Sequence, residues 1–238
     1  DAIGTTVTAH PEYPALAVKH LAEITGIDFK NSDDLIAATS DCGAYVALSS
    51  AVKSLAVKLT KVCNDLRLLA SGPRTGLSEL ILPQLQPGSS IMPGKVNPVI
   101  PEVTNQACFL AIGLDTTVML AASAGQLELN VMEPVITFAL YMQMKVLTNA
   151  CNHLREKCID GIVVNAEHCK DLVMGSLGIV TLLKPHFGYK PCANIAREGF
   201  LTGKSLHQLV VEEKGMLTQE QWDHTFTYEN LINPKFEK

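Results

Sequence analysis

A chain of 238 residues, 47% apolar and 18% charged, can bury one large core or two small ones. Its formal charge of −5, with no basic cluster along any helix, argues against nucleic acid and anionic membranes as partners. No run approaches the ~18 consecutive apolar residues of a membrane span, and the opening residues do not read as a signal segment.

In chain order, residues 43–70 carry the clearest periodicity. Tyr45, Leu48, Val52, Leu55, Leu59, Val62, Leu66 and Leu69 alternate three and four residues apart, the seam of a supercoiled helix. Ser40 or Asp41 can cap its start, and Gly72-Pro73 stops it. At 1.5 Å per residue this predicts a helix about 40 Å long that needs partners along its seam. A second long helix is predicted from about Pro98 to Ala124, with Val103, Leu110, Ile112 and Val118 apolar and Gly113 allowing a close neighbour. A third runs from about Asn130 to Cys158 and stops near Gly161. Pro101 and Pro134 fall in the first turns of these two helices, where a missing N–H is tolerated. Both are poor in charge and apolar around much of their circumference, as interior helices are.

Beyond Gly161 the breakers Gly175, Gly178, Pro185, Gly188, Gly203 and Gly215 divide the chain into short helices. Asn165 reads as a cap with Glu167 in the first turn, and Thr218 with Gln221 as a capping box. The fold expected is all-α: a long-helix bundle over 1–161, then a small helical domain over 162–238, with no segment alternating as a sheet. Seven scattered cysteines without a Cys-x-x-Cys pair predict reduced thiols serving as small hydrophobes in a cytoplasmic protein. No metal site is expected: His153 and Cys158, five apart on one helix, do not share a face.

Chemistry concentrates in Gly88-Ser89-Ser90-Ile91-Met92-Pro93-Gly94-Lys95-Val96-Asn97-Pro98. Gly88 and Gly94 act as hinges that let the backbone bend where side chains cannot, Pro93 stiffens the loop, and Pro98 opens the following helix. Two hydroxyls, an ammonium and an amide are thereby gathered on one loop, a set that can bind a carboxylate and remove a proton beside it. Serine is a poor base. It can serve only where backbone N–H groups, a helix N-terminus or a cation stabilise its anion, and this loop offers candidates for all three.

This string resembles, residue for residue, the signature loop of the aspartase/fumarase superfamily. The flanking stretches Val99-Ile100-Pro101-Glu102-Val103-Thr104-Asn105-Gln106 and Ala124-Gly125-Gln126-Leu127-Glu128-Leu129-Asn130-Val131-Met132-Glu133-Pro134 resemble its aspartate ammonia-lyase branch, as do residues 38–45 and 63–69. The resemblance implies reversible deamination of L-aspartate to fumarate and ammonia, without an organic cofactor. It makes Ser89 similar to the family's general base and Ser90 to the donor on the carboxylate beside the deprotonated carbon. Lys95 and Asn97 are similar to the pair that holds a substrate carboxylate, and Glu102 to an acid that orients a neighbouring subunit's histidine. The loop as a whole resembles one that closes over substrate.

Subunits of that family are about twice this length and form tetramers, each site drawing one region from each of three subunits. The opening Asp1-Ala2-Ile3-Gly4-Thr5 resembles the middle of such a subunit, although the family usually has Thr at Asp1 and Gly at Thr6. The expectation is therefore a C-terminal half that carries the third region and needs an N-terminal half to turn over. One cation and two hydroxyls are also thin provision for a dianion gaining charge. Two alternatives stand beside it: a fumarase or another fumarate-releasing lyase of the superfamily, or a catalytically silent helical scaffold that oligomerises through its apolar helices.

Overall fold

A computed structural model describes residues 3–89 and 91–233. The chain divides into two compact units, Asp1–Val163 and Val164–Lys238. In the first, α1 spans Tyr13–Thr25, α2 Gly43–Leu69, α3 Val99–Ala122 and α4 Glu133–Lys157. The last three match the long helices expected from periodicity. Asp41 Oδ1 accepts from Gly43 N at 2.8 Å and steadies the start of α2. Pro101 and Pro134 lie in the first turns of α3 and α4.

α3 packs along both α2 and α4. Cys42 at the start of α2 shares an apolar cluster with Val118 and Ala121 near the end of α3 and with Ile136 and Ala139 near the start of α4. The three helices thus run up, down and up. Ala56, Cys108, Ala111 and Leu147 fill the middle, and Cys63, Leu66, Leu82, Leu154 and Cys158 fill the far end. By length and mean hydropathy (1.2 in its best window) α3 is apolar enough to cross a membrane. Only 33% of that window is buried within the chain, where Cys108, Ala111 and Val118 face the neighbouring helices. Phe109, Leu110 and Leu120 stay exposed, so α3 is not the wholly interior helix expected.

The heptad seam of α2 is offset from the face the chain itself buries. Within the chain α2 buries Ser49, Ala56 and Cys63, seven apart, together with Leu66. Of the seam, Tyr45, Leu48, Leu55 and Val62 are 39–47% exposed. Small residues at 49, 56 and 63 let the neighbours approach closely, and the larger seam residues are left on the adjacent stripe. Gly113 does not serve close approach: a methyl group there would meet nothing within 4 Å.

A polar cluster crosses the bundle between the first two apolar layers. Ser49 Oγ donates to Asp115 Oδ1 at 2.7 Å and accepts from Gln143 Nε2 at 3.1 Å. Gln143 Nε2 also donates to Ala111 O at 2.9 Å, and Lys53 Nζ to Asp115 Oδ2 at 2.5 Å. Ser49 and Gln143 are fully buried and Asp115 nearly so, and each comes from a different helix. Asn130, also buried, links α3 to α4: its Nδ2 donates to Ala121 O and Ala122 O, and its Oδ1 accepts from Met132 N at 2.8 Å.

Helix α1 went unread in the sequence. Pro14 starts it, and Gly26, at φ 70°, ends it by donating its N–H to Ala22 O, but it buries none of its residues. Two dipeptides, Leu80–Ile81 and Val163–Val164, pair as the only named strands among the described residues. They are too short for alternation to register.

The second unit holds α5 Ala166–Gly175, α6 Lys184–Phe187, α7 Tyr189–Thr202, α8 Gln219–Thr225 and α9 Tyr228–Ile232, with a 3₁₀ segment at Leu177–Leu183 and a π-helical turn at Gln208–Glu213. Its core gathers Leu183, Ile195, Leu206, Leu209, Val210, Trp222 and Phe226. The capping box is formed: Thr218 Oγ1 accepts from Gln221 N at 3.2 Å, and Gln221 Oε1 accepts from Thr218 N at 2.9 Å.

Five of the seven cysteines are buried and two half-buried. Burial, with the Cys108 and Cys158 thiols close by, pushes Cys63 up to about 11 against the pull of the Thr104 hydroxyl. Burial likewise raises Cys42, Cys108, Cys158 and Cys192. A thiol reagent at pH 8 is expected to label Cys151 and Cys169, which are only half-buried, and to reach the other five only in denaturant. Rapid labelling of all seven in the native chain would refute that packing.

Candidate active site

Residues 88–98 lie between Leu80–Ile81 and α3, at the end of the bundle where α2 and α4 finish and α3 begins. The Met92 carbonyl accepts from Lys95 N at 3.2 Å, with Pro93 and Gly94 between them. Gly94 has φ +79°, as proline followed by glycine favours in a type II turn. Gly88 does not take the left-handed φ; it is glycine for a different reason. A methyl there would lie 1.7 Å from the Lys95 carbonyl oxygen, so the two limbs of the loop pass backbone to backbone.

Ser89 is half-buried, and its Oγ accepts two backbone hydrogen bonds, from Ile91 N and Met92 N, each at 3.1 Å. These are the donors that an ionised serine requires: they favour negative charge on Oγ without reorganising when it appears. Sequence reasoning asked for backbone donors but could not name them, because a main-chain N–H leaves no trace in residue type. Ser89, Lys95, Gly88 and Gly94 line one open cleft of about 530 Å³. Lys95 is exposed there, while Asn97 is half-buried and donates from Nδ2 to Gly88 O at 2.5 Å. Pro98 O accepts from Glu102 N, and Glu102 is half-buried in the first turn of α3, where the helix dipole favours an acid. Ser90 lies outside the described residues. The loop therefore brings Ser89 and Lys95 to one cleft and turns Asn97 toward the loop's own backbone. Among the described residues no three His, Cys, Asp or Glu side chains gather as a metal-ligand set.

With this geometry in hand, known proteins give a consistent comparison. The Lyase family matches residues 1–113, and the Fumarase C C-terminus family matches residues 179–233. The aspartate ammonia-lyase of Escherichia coli K12 is 55% identical over 235 residues, 99% of this chain and 49% of its own length. That of Helicobacter pylori 26695 is 52% identical over 233 residues, 98% of this chain and 50% of its own. The chain thus spans about half the length of these curated relatives. Among solved structures, a fumarate lyase:delta crystallin from Brucella melitensis bound to cobalt superposes with a TM-score of 0.89 at 43% identity, covering 94% of this chain and 48% of that one. A class II fumarase from Schistosoma mansoni gives 0.89 at 33% identity, over 98% and 52%. The chain is a homologue of the aspartate ammonia-lyases, built on the fumarase superfamily fold.

Proposed function

We propose that this chain is the C-terminal half of an aspartate ammonia-lyase and supplies the base of its active site. The observation that carries this reading is the Ser89 hydroxyl receiving two main-chain N–H groups. Ser89 takes the Cβ proton of L-aspartate, and the electron pair moves into the adjacent carboxylate as an enediolate. That pair then forms the Cα–Cβ double bond as the Cα–N bond breaks, leaving fumarate and ammonia. Lys95 places a cation against a substrate carboxylate, with Asn97 and Ser90 as further donors and Glu102 steadying a partner residue. The reaction calls for no organic cofactor. Cysteines used mostly as buried small hydrophobes support a cytoplasmic setting.

A dianion that gains charge needs more than this loop holds, so a matching N-terminal half is part of the proposal. So is assembly into a homo-oligomer, the tetramer of the family. Leu48, Leu55 and Val62 on α2, Phe109 and Leu120 on α3, and Phe138 and Tyr141 on α4 are large apolar side chains left substantially exposed. Faces of this kind mark contact surfaces. The stronger identity to ammonia-lyases (55%) than to the class II fumarase (33%) favours aspartate over malate as substrate.

The test is fumarate formation from L-aspartate, followed by ultraviolet absorbance, with the chain alone and with an N-terminal half. Activity is expected only in the mixture. Turnover by the chain alone would refute the need for a partner, and fumarate from malate alone would move the assignment to a fumarase. Silence in both, from a folded oligomer, would favour the scaffold.

A further inference from the structure

Three observations in the signature loop meet at the peptide joining Gly88 to Ser89. The Gly88 carbonyl accepts from Asn97 Nδ2 at 2.5 Å. Gly88 has room for no methyl group, because the Lys95 carbonyl oxygen would lie 1.7 Å from it. Asn97 stands two residues before α3, and a local turn joins it to the helix start: its carbonyl accepts from the N–H of Val99, the first residue of α3, at 2.9 Å. The loop is thus pinched at a neck. Gly88 stands on the entering limb, and Lys95 and Asn97 stand on the limb that runs into α3.

We infer that Asn97 is a positioning residue: its carboxamide latches the neck and, through the Gly88 peptide, sets where Ser89 sits. The Gly88 carbonyl and the Ser89 nitrogen belong to one planar unit. Holding the oxygen to a residue anchored at a helix start limits rotation of that plane, and with it the direction in which Ser89 leaves the neck. The two N–H groups on Ser89 Oγ then fix the side chain from the other side. A proton-abstracting group tolerates little misplacement, so such a latch bears on turnover. This consequence rests on the proposed role of Ser89; the latch itself does not. A second N–H of the same amide stays available to a carboxylate, so Asn97 can serve both ends.

Limited trypsin digestion of the full chain, without ligand, reads the neck through the exposed Lys95–Val96 bond. In Asn97→Ala the Gly88 carbonyl loses its donor, and one hydrogen bond is worth about a two- to twelvefold shift in neck opening. Cleavage after Lys95 is expected to quicken by that factor, with helical content and the thermal midpoint unchanged. Gly88→Ala forces the limbs apart by a different route and is expected to do the same. Unchanged cleavage in both variants overturns the latch, and acceleration in Gly88→Ala alone overturns the part given to Asn97. In the chain completed by an N-terminal half, Asn97→Ala is expected to lower kcat as well as raise KM. A rise in KM alone would leave Asn97 as a carboxylate ligand and overturn its positioning role. If no version forms fumarate, the ammonia-lyase reading falls, while digestion still decides the latch.

Discussion

Ser89→Ala, in the chain completed by an N-terminal half, is expected to cut turnover of L-aspartate by roughly 10²- to 10⁴-fold, the usual contribution of a positioned base. The substitution deletes one oxygen from a half-buried loop position. The Ile91 and Met92 N–H groups that it releases can turn to water, so the fold should lose no more than about 1 kcal/mol. Folding and catalysis are therefore separable in this variant. The decisive measurement is kcat for fumarate release, with helical content and assembly followed in parallel. Near-normal turnover in a well-assembled variant would remove Ser89 from the mechanism.

The second large effect is on stability. Asp115→Ala should destabilise the bundle by about 2–3 kcal/mol, lowering the thermal midpoint by roughly 5–10 °C for a chain of this size. The Asp115 carboxylate accepts from Ser49 at 2.7 Å and from Lys53 at 2.5 Å. Removing it leaves the fully buried Ser49 hydroxyl only the longer contact to Gln143 Oε1, at 3.2 Å. Breaking a buried pair costs about 3–5 kcal/mol, but the Lys53 side chain is 40% exposed and its ammonium can reach water, which lowers the figure. Thermal melts of the variant against the parent check it; a midpoint within 1–2 °C of the parent, on the scale of a surface substitution, would refute the role of this cluster.

The same carboxylate gives the fold an acid limb. Burial pulls the Asp115 carboxyl upward, but hydrogen bonds from Lys53 and Ser49 and the charge of Lys53 outweigh it, and the group is held below its ordinary 3.8. As pH falls, the unfolded chain takes up this proton before the folded one does. The contribution is present in full above about pH 4 and fades as pH drops through the lowered folded value. Asp115→Asn keeps an acceptor for Ser49 and loses this limb, so its stability should converge on that of the parent in acid.

Much of this was legible in the residues. The ends of α2, α3 and α4, the Thr218–Gln221 capping box and the loop between Gly88 and Pro98 follow from local rules that act within a few residues. That this loop carries chemistry was legible too, because hydroxyls, a cation and an amide crowded among glycines and prolines have few structural uses; the choice of Ser89 over Ser90 came from the family resemblance alone. Helix α1 was not legible, since it buries nothing and so carries no apolar stripe to read. Nor was the Ser49–Asp115–Gln143 cluster, whose members lie 28 to 94 residues apart and meet only when three helices dock. A lone aspartate in the charge-poor middle of α3 was the one available sign.

By itself, then, the sequence determined the three long helices α2, α3 and α4, where they stop and which loop carries the chemistry, because caps, breakers and side-chain types act locally. Only the tertiary structure decided which stripe of α2 is buried, why Gly88 must lack a side chain, and which N–H groups face Ser89. Periodicity reports that a helix has an apolar face but not which neighbour covers it. Backbone donors have no residue identity, and a close approach of two chain segments exists only once both are in place.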